Sequence, residues 1–209
     1  MPIYHDVPQY SVAWDNLRIG IPTSSGFEKI ITPTGKESAQ WKKYAHALIA
    51  ERVLNRRLES FMSPWMERGK ELEEDAMSQY ELMRDIETKE IGFVTTDDGK
   101  IGCSPDRLVG EDGLLELKVP APQTQIDYIL GEELVKAYYP QLQGQLFVTE
   151  RKWVDIMAYH PEIPPVITRL HRDEGYIECM QLYLAKVTSY IDEKMAYIET
   201  LGGNNAKKI

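Results

Sequence analysis

Apolar residues recur at helical spacing in three long stretches of the chain. Between Glu37 and about Arg57 they fall at i, i+3, i+4, i+7 and i+8, which predicts an amphipathic helix. A second helix is predicted from Ser63-Pro64 to near Asp85, because Pro is favoured at the first helical position. A third is predicted from about Asp173 to Thr200. The apolar faces are formed by Trp41, Tyr44, Ala45, Leu48 and Ile49; by Leu72, Ala76, Tyr80 and Met83; and by Ile177, Met180, Leu184, Val187, Ile191, Met195 and Ile198.

Short strand-like runs alternate with the remaining helices. Asp-Gly pairs at 98–99 and 112–113 separate three of these runs, and Asp-Gly between apolar runs is a strong hairpin signal. Helical segments are predicted over 123–130 and 134–148. The predicted strands are Glu90 to Thr95, Ile101 to Val109, Leu114 to Val119, Trp153 to Tyr159 and Val166 to Leu170. This order favours an α/β sandwich with one mixed sheet.

The length of 209 residues suggests one domain. We expect that domain to span residues 1–201, and the Gly- and Asn-rich segment 202–209 to be a flexible tail. The chain carries 24 basic and 33 acidic residues, a formal charge of −9. That balance does not suit a protein that binds nucleic acid over its whole surface, so any phosphate-binding patch must be local.

The two cysteines, Cys103 and Cys179, cannot supply a four-thiolate iron-sulfur cluster. Their number is typical of a reducing compartment, and both are expected to be small buried side chains. The N-terminus lacks a basic start followed by an apolar run, and no stretch approaches the roughly 20 apolar residues that span a bilayer. We therefore expect a cytoplasmic protein with no membrane partner.

The strongest candidate for a catalytic motif consists of Ser104-Pro105-Asp106 followed by Glu116-Leu117-Lys118. Alternation along a strand places Glu116 and Lys118 on one face, and a hairpin at 112–113 would bring Asp106 beside Glu116. Two adjacent carboxylates favour a divalent cation such as Mg²⁺, and a lysine beside them could stabilise charge on a phosphate. The set suits phosphodiester hydrolysis. The alternative is an exposed Glu-Lys pair with Asp106 capping a turn.

Several blocks of the chain together resemble one known family. They are Leu17-Arg18-Ile19-Gly20 with Thr23-Ser24-Ser25, Arg68-Gly69-Lys70-Glu71-Leu72-Glu73-Glu74-Asp75-Ala76, Cys103-Ser104-Pro105-Asp106-Arg107-Leu108, Gly113-Leu114-Leu115-Glu116-Leu117-Lys118-Val119-Pro120 and Tyr138-Tyr139-Pro140-Gln141-Leu142-Gln143. In this order they resemble the PD-(D/E)XK nucleases of the phage lambda exonuclease type, also called YqaJ-like or alkaline exonucleases. The resemblance implies an α/β, restriction-endonuclease-like core with a central mixed β-sheet flanked by helices.

The resemblance also implies roles for particular residues. Asp106, Glu116, Glu73 and the backbone carbonyl of Leu117 would bind Mg²⁺, for which Mn²⁺ can substitute. Lys118 would be the catalytic lysine, and Gln141 would complete the catalytic set. Helical spacing with Ala76 and Tyr80 agrees with an inward-facing Glu73, although a surface ion pair with Lys70 is the alternative.

A 5'-phosphate pocket is implied at Arg18, Ser25 and Ser104, because an arginine fork and hydroxyl donors match phosphate oxygens. Read without the resemblance, Arg18 would be a solvated charge and the serines turn formers. Contacts to duplex DNA are implied for Lys36, Trp65 and Met66. For the last two residues, core packing at a helix start is the alternative.

The activity implied is an Mg²⁺-dependent 5'-3' exonuclease on linear double-stranded DNA ends. It would leave 3' single-stranded overhangs for phage-type homologous recombination by strand annealing. ATP independence agrees with the absence of a Gly-x-x-x-x-Gly-Lys-Ser/Thr loop. The family implies a homotrimeric ring, a single-strand annealing recombinase as partner and a phage or prophage gene in a bacterial host. The alternatives are a structure-specific or restriction-like endonuclease and a non-catalytic DNA-end-binding module.

Overall fold

The strands belong to two separate sheets. The computed structural model describes residues 1–58, 64–131 and 133–205, with only the backbone described at 64–67, 70 and 202–205. Within these residues a three-stranded sheet has the order β1-β3-β4 and a five-stranded sheet the order β2-β5-β6-β7-β8. The strands are β1 (Ile3–His5), β2 (Thr88–Glu90), β3 (Phe93–Thr95), β4 (Gly102–Cys103), β5 (Arg107–Val109), β6 (Gly113–Lys118), β7 (Trp153–His160) and β8 (Ile163–His171).

The helices follow the predicted order. They are α1 (Val12–Leu17), a 3-10 helix (Ser24–Lys29), α2 (Trp41–Leu54), α3 (Pro64–Arg84), α4 (Pro122–Ile129), α5 (Leu134–Thr149) and α6 (Glu174–Asn205). The five predicted helices correspond to α2 through α6, with shifts of a few residues at their ends. Helix α6 extends into the predicted tail as far as Asn205, and residues 206–209 lie outside the described part of the chain.

The five-stranded sheet is mixed and covered on both faces, as the resemblance implies. Strands β6 and β7 are parallel, and the other neighbours in this sheet are antiparallel. Leu114 of β6 packs in a cluster with Leu142 and Leu146 of α5. On the opposite face, Leu115 and Leu117 pack with residues of α3. Strand β6, with its charged residues, therefore lies in the centre of the molecule.

The prediction of a single sheet is wrong, because two of the predicted strands are each divided between sheets. The run from Glu90 to Thr95 begins with the last residue of β2 and contains β3, and the run from Ile101 to Val109 contains β4 and β5. The second run breaks at 104–106, where Pro105 has no N–H to donate to a strand ladder. Ser104 and Asp106 consequently lie between the two sheets.

The N-terminal strap, defined here as residues 6–10, crosses close to β3. Strand β1 before it pairs with β3, with Ile3 opposite Thr95. A Cβ atom added at Gly92 would lie 1.9 Å from the carbonyl oxygen of Val7, so only glycine permits this approach. The strap is therefore held against the small sheet.

Helix α6 packs its apolar stripe against α2, in the cluster that contains Leu48, Met180 and Leu184. Cys179 lies beside this stripe and is exposed, which contradicts the expectation of burial, whereas Cys103 in β4 is buried as expected. Among the described residues, no helix is both long and apolar enough to cross a membrane.

We expect Gly144→Ala to destabilise the protein. A Cβ atom there would lie 2.4 Å from Cδ2 of Phe27, a fully buried ring of the 3-10 helix, and overpacking costs about 1–3 kcal/mol. Gly175→Ala is the matched control, because its Cβ would meet only Asp173 Oδ1 at 3.7 Å. Urea unfolding should show a lower free energy of unfolding for Gly144→Ala and an unchanged or higher one for Gly175→Ala. Equal stability of the two variants would contradict the tight packing at Phe27.

Candidate active site

A cleft of about 470 Å³ brings together nine of the predicted site residues. Its walls come from the N-terminal segment, the 3-10 helix, α3, the break at 104–106, β6 and α5. The predicted residues that line it are Arg18, Ser25, Glu73, Ser104, Asp106, Glu116, Leu117, Lys118 and Gln141.

Asp106 and Glu116 meet through the β5-β6 hairpin. Arg107 lies opposite Leu115 in this antiparallel pair, so Asp106, one residue earlier, lies beside Glu116. The Oδ2 atom of Asp106 accepts a hydrogen bond of 2.5 Å from the backbone N–H of Leu117. The hairpin inferred from the sequence thus places the two carboxylates next to each other.

The carboxylate of Glu116 is only 3% exposed and is bound by three donors. Its Oε1 accepts from Nζ of Lys118 and Nε2 of Gln141, and its Oε2 accepts from Nε2 of Gln145, each at 2.5 Å. A buried charge requires such partners. Gln145 was not predicted, although its i+4 spacing from Gln141 puts both amides on one face of α5.

The pKa values of Asp106 and Lys118 are both raised, but for different reasons. Burial raises the pKa of Asp106 well above its usual range, and the neighbouring carboxylates of Glu116 and Glu73 raise it further. Burial alone would lower the pKa of Lys118, but Glu116 and Asp106 outweigh this effect and raise it. Lys118 is therefore an ammonium ion at neutral pH, and it also lies 4.7 Å above the ring of Tyr138.

Glu73 projects from α3 into the same cleft. It is half-buried, and the hydroxyl of Tyr10 donates to its Oε2 at 3.4 Å. The side chain of Lys70, the alternative ion-pair partner, lies outside the described part of the structure. Tyr10 and its neighbour Gln9 also line the cleft, and neither was predicted, because the family blocks begin only after them.

Arg18 and Ser104 also line the cleft, and Trp14 contacts both of them. The guanidinium of Arg18 lies 3.7 Å from the centroid of the Trp14 ring, and Nε1 of Trp14 donates to Ser104 Oγ at 2.9 Å. Ser25 Oγ lies 3.3 Å from Thr23 Oγ1.

The Arg18 guanidinium needs a further partner. Burial, and then the charge of Arg57, lower its pKa to about 10. Its Nε is buried and has no hydrogen-bond partner among the described residues. Arg18 also lines the cleft, and an arginine fork pairs with phosphate or carboxylate oxygens, so an anion there would suit this side chain.

The structure describes the side chain of one of the three predicted DNA contacts, Lys36. Lys36 is exposed in the loop before α2, where its backbone N–H donates to Thr32 Oγ1. It does not line the cleft. The side chains of Trp65 and Met66 lie outside the described residues, so their predicted roles stay predictions.

The residues of the cleft fit a magnesium ion. Among the described side chains, no group of three His, Cys, Asp or Glu residues converges on one point as a preformed metal cage does. Mg²⁺, however, is usually held by one or two carboxylates and completed by water and phosphate oxygens. The Asp106-Glu116 pair offers such ligands, with Glu73 and the Leu117 carbonyl beside it. The mutual repulsion that raises the pKa of Asp106 is what a cation would relieve.

The fold and the site point to the same family as the motifs. Residues 13–152 match the YqaJ-like viral recombinase domain, and the chain belongs to this family. No curated protein matches the sequence significantly. The structure is similar to that of an alkaline exonuclease, LHK-Exo, from Laribacter hongkongensis, with a TM-score of 0.83, 26% identity and coverage of 93% of this chain and 99% of that one. The same protein has been solved in complex with dAMP.

A second solved structure supports the fold alone. It is a phage-related exonuclease from Haemophilus somnus 129PT, with a TM-score of 0.69 and 16% identity, and the match covers 88% of this chain and 99% of that one. The expected resemblance to alkaline exonucleases and the expected nuclease fold are therefore confirmed.

We expect Asp106→Asn to stabilise the protein at pH 8 when EDTA removes divalent cations. The raised pKa means that the folded state holds a proton on Asp106 more tightly than the unfolded state does. The stability that this proton contributes is lost as the pH rises from the pKa of Asp106 in the unfolded state to its pKa in the folded state. In urea unfolding, the free energy of unfolding of the variant should exceed that of the wild type by more at pH 8 than at pH 5. An equal difference at both pH values would contradict a raised pKa for Asp106.

Proposed function

We propose that this protein is an Mg²⁺-dependent, ATP-independent exonuclease that degrades one strand of linear double-stranded DNA from its 5' end. One observation carries the proposal. A single cleft contains both the Asp106-Glu116 pair with the charged Lys118 and the guanidinium of Arg18. The carboxylates and the lysine suit hydrolysis of a phosphodiester, and the guanidinium suits a terminal phosphate.

Binding of the DNA end is assigned to Arg18, Ser25 and Ser104. The guanidinium and the hydroxyls donate to oxygens of the 5'-phosphate, a charge-assisted arrangement. Trp14 orients two of these groups, because it stacks on Arg18 and donates to Ser104. An end held in this way places the next phosphodiester toward the carboxylates.

Asp106, Glu116, Glu73 and the carbonyl of Leu117 would hold Mg²⁺ in this cleft. The bound ion supplies Lewis-acid polarisation of the phosphate and a more acidic water. Gln141 and Gln145 keep the Glu116 carboxylate in place through hydrogen bonds. These amides need not ionise, so they orient the carboxylate at every working pH.

Lys118 stabilises the negative charge that grows on the phosphate as water attacks. Its raised pKa makes it a cationic donor and unsuited to act as a base. Attack by water at phosphorus breaks the P–O3' bond, and the leaving O3' takes up a proton. The products are a 5'-mononucleotide and a strand with a new 5'-phosphate. The dAMP complex of LHK-Exo supports this class of product.

The remaining features of the proposal concern assembly and setting. We propose a homotrimeric ring that hands its 3' overhang to a single-strand annealing recombinase, encoded by a phage or prophage and acting in the bacterial cytoplasm. Membership of a viral recombinase family supports this setting. A ring would also reconcile the net charge of −9 with DNA binding, because basic side chains could line its channel.

We expect the protein to digest a linear duplex that carries a 5'-phosphate on one strand, releasing mononucleotides from that strand when Mg²⁺ is present and none in EDTA. Lys118→Ala should lower kcat on the order of 10²–10³-fold, as loss of one transition-state donor does. Lys152→Ala is the control, because Lys152 is an exposed lysine paired with Asp112 outside the cleft.

A covalently closed circle serves as the second substrate in the same assay. The proposal requires that it stay intact. Its cleavage would identify an endonuclease instead. No metal-dependent hydrolysis of either DNA would leave a DNA-end-binding module as the function.

We expect Arg18→Lys to weaken discrimination between 5'-phosphate and 5'-hydroxyl ends. Lysine keeps the charge but loses the fork, and a hydrogen bond to a charged group is worth about 1.5–3 kcal/mol, or roughly tenfold to a hundredfold. The ratio of kcat/KM for the two ends measures the effect. Arg107→Lys is the matched control, because Arg107 pairs with Glu90 and does not line the cleft. An unchanged ratio for Arg18→Lys would exclude Arg18 from end recognition.

A further inference from the structure

Tyr10 has a backbone conformation that aromatic residues rarely adopt. Its φ is 64°, in the left-handed region where a Cβ atom is disfavoured. The residue ends the N-terminal strap and directly precedes Ser11, whose side chain accepts from the N–H of Trp14 and begins α1. Half of the Tyr10 side chain is exposed on the wall of the cleft. Strain of this kind persists where the surrounding structure enforces it.

The side chain of Tyr10 contacts two groups of the site, Glu73 and Trp14. Its hydroxyl donates to Glu73 Oε2 at 3.4 Å. Its ring lies against Trp14, with centroids 5.4 Å apart and planes inclined at 52°. The guanidinium of Arg18 in turn stacks on the ring of Trp14. One residue therefore connects a carboxylate of the proposed metal site with the aromatic ring that supports Arg18.

The neighbouring residue, Gln9, fixes the strap that carries Tyr10. Its Nε2 donates to the carbonyl oxygens of Ile91 at 2.9 Å and of Pro105 at 3.0 Å. Pro105 directly precedes Asp106, so the same anchor reaches the break between the two sheets. With the close approach at Gly92, these bonds determine where the Tyr10 side chain begins.

We propose that Tyr10 is a positioning residue for the hydrolytic reaction: its hydroxyl directs Glu73 toward the metal site, and its ring sets the Trp14-Arg18 pair relative to that site. This inference rests on the proposed function. A partner that orients a metal ligand contributes to affinity without touching the metal, and a site functions only when such supports hold its groups in place. The left-handed backbone turns the strap so that one side chain meets both groups.

The variant Tyr10→Phe tests the hydroxyl, because it removes the bond to Glu73 and keeps the ring against Trp14. We expect Mn²⁺ to bind the DNA-free protein more weakly, on the order of tenfold, when free Mn²⁺ is followed by electron paramagnetic resonance. The Mg²⁺ concentration for half-maximal digestion should rise in parallel. Affinity for a 5'-phosphorylated duplex in EDTA and the melting temperature should not change.

The variant Tyr10→Gly tests the ring and relieves the backbone. Glycine adopts a positive φ without penalty, so we expect the melting temperature to stay equal or rise while both Mn²⁺ affinity and duplex binding in EDTA weaken. The control is Asp85→Gly, another non-glycine residue with a positive φ, 51°, which lies just after α3 and does not line the cleft. It should leave both binding constants unchanged.

The outcomes separate this inference from the proposed function. Wild-type affinity for Mn²⁺ in Tyr10→Phe would overturn the role of the hydroxyl, and unaltered duplex binding in Tyr10→Gly would overturn the role of the ring. A wild-type protein that shows no metal-dependent digestion would instead overturn the proposed function.

Discussion

The buried carboxylate of Glu116 imposes the constraint on which the site depends. Strand β6 is covered on both faces, so a charge in its middle must be satisfied within the protein. Lys118 supplies the compensating charge, and two amides of α5 supply the remaining donors. Strand β6, helix α5 and the packing between them are thereby fixed together. Asp106 joins the same unit through the N–H of Leu117.

This arrangement places strong electrostatic forces where a substrate phosphate would lie. Asp106 and Glu116 repel each other, while Lys118 remains cationic between them and the ring of Tyr138. Charges that are largely buried interact strongly, and a cation or a phosphate that enters the cleft alters the balance for all of them. The short N-terminal segment adds the second half of the site, since it carries both Trp14 and Arg18 toward Ser104.

Local patterns predicted most of the secondary structure and the centre of the site. The apolar stripes specify α2, α3 and α6, and strand alternation with the Asp-Gly turn places Asp106 beside Glu116. What they do not specify is set by tertiary contacts. The division of the run from Ile101 to Val109 between two sheets depends on the break at Pro105, which a proline alone does not distinguish from an edge or a bulge.

The unpredicted parts of the site have similar causes. The sequence signal for Gln145 is its i+4 spacing from Gln141. That spacing is informative only when Glu116 is known to face α5. The role of Tyr10 depends on a left-handed backbone conformation that its residue type does not favour. The same limit applies to Cys179, which is exposed although its neighbour Met180 is fully buried in the apolar stripe of α6.

In the proposed mechanism, a divalent cation completes the Asp106-Glu116 pair at the phosphodiester to be cut. Anomalous diffraction from crystals grown with Mn²⁺ and a 5'-phosphorylated duplex would locate such an ion. We predict an anomalous peak that contacts both carboxylates, with the terminal phosphate at Arg18. A peak away from Asp106 and Glu116, or a duplex bound with no metal in the cleft, would contradict it.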